Sequence, residues 1–106
     1  MEEYVEDCVN RQLLSVDASL IVLSFWEAFH ERYPNLNMDA APSGVQNEFM
    51  LALDDSQNYM EFELIGEVWE CFYRDRKTEE SFFGEFNCHN EIPWEQFDPY
   101  IKRFSR

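Results

Sequence analysis

The spacing of apolar residues changes period twice along the chain and so divides it into three stretches. Over residues 2–13, Val5, Val9 and Leu13 recur at i, i+4 and i+8 with Cys8 beside them, the pattern of a short amphipathic helix. A second helix is predicted from Asp17, taken as its N-cap, to about Arg32. Ile21, Phe25, Ala28 and Phe29 share one of its faces, Val22 and Trp26 flank that face, and Pro34 ends it. The Pro-, Asn-, Asp- and Gly-rich segment 34–44 reads as a loop.

From Val45 the period becomes two. Val45, Phe49, Leu51 and Leu53 fall on one side of a first strand, and the turn "DDSQN" leads to a second at residues 59–64 with Met60, Phe62 and Leu64 on that side. Gly66 marks a reversal into residues 68–74, where Trp69, Cys71 and Tyr73 point inward. "RDRKTEE" then turns into residues 81–86, with Phe82 and Phe86 inward. In the tail, Trp94, Phe97, Ile101 and Phe104 return to helical spacing. Pro99 interrupts that spacing, and a turn at residues 93–97 followed by a short helix capped by Asp98 and Pro99 accommodates it. The expected architecture is a single two-layer α+β domain over residues 1–106, with N-terminal helices, a four-stranded antiparallel meander and a C-terminal helix on one sheet face.

Alternation then assigns Glu48, Met50, Glu61, Glu63, Glu70, Phe72, Phe83 and Glu85 to the outward side, where Arg74 near a strand end is the one cation. Glutamate is an ordinary way to keep an open sheet face soluble. Two features of this chain argue for more. The 22 Asp and Glu outnumber eight Lys and Arg, for a formal net charge of −14. Aromatic and aliphatic side chains also sit among the glutamates, as anchors do at a binding face.

Such a charge repels phosphate backbones and anionic lipid, so direct nucleic-acid and membrane binding are disfavoured and a basic protein partner is favoured. Alternate strand residues lie about 7 Å apart and neighbouring strands about 4.8 Å apart, so Glu61 and Glu63 present carboxylates at a spacing comparable to consecutive phosphates. The reading is a non-enzymatic inhibitor of nucleic-acid-mimic type that occupies the basic surface of a nucleic-acid-processing protein, as phage counter-defence or immunity against a nuclease would require. Glu48, Glu61, Glu63, Glu70 and Glu85 form its anionic array, with Phe72 and Phe83 as anchors. The alternative of another class is a structural accessory subunit that assembles through exposed aromatics, as a homodimer or larger assembly.

Sharper chemistry finds less support. Cys8, Cys71 and Cys88 are odd in number and lack CxxC spacing, so free thiols in a reducing, cytoplasmic setting are expected. The acidic start "MEEYVEDCVNRQ" differs from a secretory signal, and no apolar run reaches membrane length. Cys88 beside His89 permits a small thiol enzyme, but adjacent side chains rarely aim at each other. His30 and His89 are too far apart in sequence to announce a zinc site, and no cofactor motif is present. Asp54-Asp55 and Glu79-Glu80 read as solvated turn residues. Arg74, Arg76 and Lys77 are placed to pair with Asp75, Glu79 and Glu80 or to steer the orientation of docking, and Lys102, Arg103 and Arg106 to favour a helix end. Trp26, Trp69 and Trp94 are expected to meet in the core.

Overall fold

The computed structural model describes Met1 to Phe104 and, at Pro42, the backbone alone. Helix α1, Glu2–Asn10, buries Val5 and Cys8 and stops short of Leu13. Gln12 adopts a positive φ of 61°, and the Leu13 N–H donates to the Cys8 carbonyl at 2.8 Å. This tight reversal leaves Leu13 half-buried and sends Leu14, 2% exposed, into the core in its place.

Helix α2, Val16–Arg32, is capped by Ser15, not by Asp17. Ser15 has the extended backbone a cap requires, and its Oγ accepts the Ala18 N–H at 3.1 Å. Asp17 lies in the first turn, where its charge favours the helix dipole. The Ser15 N–H donates to Asn47 Oδ1 at 2.6 Å, tying the helix start to the segment before the central strands.

The sheet has five antiparallel strands in sequence order, one more than the period-two pattern predicts. They are β1 (Asp39–Pro42), β2 (Phe49–Asp54), β3 (Asn58–Ile65), β4 (Val68–Asp75) and β5 (Ser81–Asn87). β1 lies within the expected loop: "DAAP" carries no apolar alternation, and it is a strand only because Asp39 to Pro42 pair with Ala52 to Phe49. Val45 is not in a strand. Gly44 at φ 91° and the Ser43 N–H bond to the Glu48 carbonyl fold residues 43–48 into a turn that leaves Val45 57% exposed.

From Phe49 onward the alternation holds. Phe49, Leu51, Leu53, Met60, Phe62, Leu64, Trp69, Cys71 and Tyr73 all point inward at 3% exposure or less, against Val22, Phe25 and Phe29 of α2. Helix α3, Trp94–Ile101, adds Phe97 and Ile101 to this core and continues as a 3-10 turn, Lys102–Phe104. α3 is one helix that contains Pro99, not a turn followed by a second helix. The first four N–H groups of a helix lack intrahelical acceptors in any case, so proline at the sixth position removes one bond near the start. Complete burial of both Phe97 and Ile101 requires one continuous helical face and outweighs that loss.

Trp69 and Trp94 converge on Phe25, with ring centroids 4.6 Å and 6.2 Å away. Trp26 does not join them; half-buried at the core's margin, it packs on His30 at 4.2 Å. Among the described residues, no helix is long and apolar enough to cross a membrane.

Candidate functional site on the open sheet face

The helices cover one face of the sheet, and the strand register fixes what stands on the other. Glu63 is directly opposite Glu70, and Glu70 is directly opposite Glu85, so three carboxylates line up across β3, β4 and β5, with Met50 of β2 continuing the row. The next row runs Ala52, Glu61, Phe72, Phe83, and the one beyond it Asp54, Tyr59, Arg74, Ser81. One face therefore grades from an acidic row through a mainly aromatic one to a mixed row that carries both Asp54 and Arg74.

Glu61, Glu63, Glu70, Phe72 and Phe83 together line a shallow depression of about 170 Å³. Phe83 is 58% exposed and Phe72 half-buried beside it. Glu85 adjoins this depression through its pairing with Glu70. Glu48 is not in a strand; its carboxylate accepts the Ser43 hydroxyl at 3.1 Å and stands close enough to Glu63 to act on it electrostatically.

Partial burial raises the pKa of Glu61 above its ordinary 4.5. Glu63 is raised chiefly by burial, then by the charges of Glu61, Glu48 and Glu70. Among the described residues, no cation lies within ion-pair distance of Glu48, Glu61, Glu63, Glu70 or Glu85. The cations at the far end of the face are engaged elsewhere. Arg76 clamps Asp54 with two hydrogen bonds of 2.7 Å and 3.0 Å, lies over the Tyr59 ring at 5.5 Å, and holds the Asp54 carboxyl down at about 2. Arg74 reaches Glu79 at 3.5 Å, and Arg103 takes Glu80 while donating to the Tyr73 hydroxyl.

The acidic turn residues are thus not simply solvated, and Arg76 pairs across the sheet with Asp54, not within its own turn. Arg106 lies outside the described residues. The sequence pattern misses these clamps because their partners are 22 and 23 positions apart and carry no periodic signal.

A face arranged this way opposes its own folding, since like charges directly opposite destabilise a sheet pair. Glu70→Gln, which removes the middle charge of the row and keeps its shape, is expected to stabilise the protein by ~0.5 kcal/mol at low ionic strength. Urea midpoints measured at low and high salt check this. The gain should shrink as salt screens the row, and a variant no more stable than the parent would show that the carboxylates do not strain one another.

Burial, then the Glu67 charge, raises the Cys88 pKa, which disfavours the thiolate, and His89 directs Nε2 to Glu67 at 3.5 Å. Cys71 is fully buried and raised further by desolvation, and all three cysteines are free thiols. Among the described residues, no three His, Cys, Asp or Glu side chains converge as metal ligands would. Compared with protein-family models, curated proteins and solved structures, the chain matches none of them.

Proposed function

We propose that the open sheet face binds the basic surface of another protein and blocks it, so that this chain acts as a non-enzymatic acidic inhibitor. The observation that carries the reading is the Glu63–Glu70–Glu85 row: directly opposed carboxylates, without cations in reach among the described residues, beside the exposed ring of Phe83. Mutual repulsion on the free face becomes a gain when a cationic surface arrives. Long-range attraction speeds encounter, and desolvated aromatic contacts slow release. Carboxylates spaced along and across strands resemble a run of phosphates, which makes a nucleic-acid-processing protein the favoured target and phage counter-defence or nuclease immunity the favoured settings.

The test is capture from a lysate of the native host at low salt, with protein and nucleic acid in the eluate both identified. The Glu63→Lys, Glu70→Lys, Glu85→Lys triple variant is run beside the parent. Expected is a basic nucleic-acid-binding protein, released as salt rises from about 50 to about 300 mM and held about tenfold or more weakly by the variant. Retention that ignores both salt and charge reversal would sink the reading.

A second reading, a subunit that assembles through Phe72 and Phe83, is favoured by the exposure of Phe83 alone. Light scattering separates the two, because a stable homodimer lost on Phe83→Ser supports the subunit.

A further inference from the structure

β1 and β5 are the two edges of the sheet, and they differ in kind. β1 is four residues long and ends at Pro42, which has no N–H, so it is a poor template for another strand. β5 runs for seven residues without proline and carries Phe82, Phe83 and Phe86.

Two hydrogen bonds flanking β5 fix the phase of its ladder. The Cys88 N–H donates to the Glu67 carbonyl at 2.7 Å, and the Asp75 N–H to the Glu80 carbonyl at 2.8 Å. Stepping inward by two from either end, Phe82, Gly84 and Phe86 exchange bonds with Tyr73, Cys71 and Trp69. Ser81, Phe83 and Glu85 therefore turn their N–H and C=O groups to the outer edge. Among the described residues, those groups have no other backbone partner. The edge is thus open beside the acidic row, and Phe83 and Glu85 belong to both.

We infer that β5 receives an extended basic segment of the partner as a sixth strand, an inference that rests on the acidic-face reading above. The register specifies that segment. Its residue beside Glu85 extends the Glu63–Glu70–Glu85 row and is cationic, whereas the residue beside Phe83 extends the Phe72–Phe83 row and is apolar. Intervening residues pass to the other face, next to the half-buried Phe82 and Phe86, and are apolar. Backbone bonds supply affinity, and the alternating side chains supply selection. A second copy of this chain is the weaker occupant, because pairing β5 with β5 brings together two molecules of charge −14, each with Glu85 at the seam.

The probe is a fluorescent peptide of about ten residues, valine with arginine at every fourth position, so that arginine beside Glu85 puts valine beside Phe83; it is tested beside the same peptide N-methylated at alternate amides so that one edge cannot pair. Expected are binding of the unmethylated peptide, exchange protection of the Phe83 and Glu85 amides, and a loss of about tenfold or more on methylation. Phe83→Pro should weaken binding similarly, with circular dichroism confirming the fold; the methylated peptide tests the same bond set on the unaltered protein. If methylation changes nothing while the triple lysine variant still abolishes binding, the sixth strand is overturned and the acidic face survives. If methylation matters and charge reversal does not, the acidic-face reading fails instead. Absence of binding by the unmethylated peptide, or a free dimer that Phe83→Pro dissociates, overturns the inference.

Discussion

Replacing Phe62 by alanine is expected to destabilise the protein by ~3–5 kcal/mol, the cost of emptying a large aromatic site that its surroundings refill only in part. Phe62 is 0% exposed and is the ring on which the two layers meet. Phe25 of α2 lies 4.9 Å away, Phe29 of the same helix 6.3 Å, and Phe97 of α3 5.6 Å. One truncation therefore loosens both major helices from the middle strand. Domains of this size are stable by about 5–15 kcal/mol, so the variant should lose a large share of its folding free energy. Urea unfolding followed by tryptophan fluorescence checks this, since Trp69 and Trp94 both pack against Phe25. A cost under about 1 kcal/mol would mean that the helices are held by something other than this cluster.

The second large effect is expected at Asp98. Its carboxylate accepts bonds from Arg32 Nε at 2.9 Å, from Arg32 Nη2 and from the Tyr33 hydroxyl, so it fastens α3 to the end of α2. With its side chain 13% exposed, Asp98 sits in a partly desolvated site where charge-assisted bonds are strong. Asp98→Ala should cost about 2 kcal/mol near neutral pH.

The pH dependence gives a signature that packing loss alone would not. The Arg32 bond, then the Tyr33 bond, lowers the Asp98 pKa below its ordinary 3.8. An acid whose pKa is lowered by folding adds stability that is fully present above its unfolded value and lost as pH falls through its folded one. The gap between parent and variant should therefore hold down to about pH 4 and close below it. Urea midpoints of the two proteins across that range check the expectation, and a gap independent of pH would assign the effect to lost contacts. Glu61 and Glu63 act in the opposite sense: their raised pKa values favour the folded state as pH approaches 4.5 from above.

Much of the face was legible because a strand's side chains must alternate. Once Phe62 and Cys71 are inward, Glu61, Glu63, Glu70 and Phe72 have nowhere to go but outward, and the register confirms that placement. β1 escaped because pairing, not composition, makes Asp39–Pro42 a strand. The sequence alone does not separate Ser15 from Asp17 as the cap, because both residue types suit that position, and the Ala18 N–H geometry assigns it to Ser15. Pro99 read as a break because proline's local cost is visible in a sequence, while the burial of Phe97 and Ile101 that offsets it is not. The open edge of β5 required the phase of a hydrogen-bond ladder, which no side-chain pattern encodes.

Sequential strand order has a kinetic consequence. Each hairpin closes over a connection of a few residues, so the ordering entropy of the sheet is met in small steps as neighbours zip together. The demanding search falls on the Arg32–Asp98 contact, whose partners are 66 positions apart. Shorter separations join α3 to the sheet, through Phe97 on Phe82 and Tyr100 on Tyr73, so the edge strand and the helix that covers its inner face lie close along the chain as well as in space.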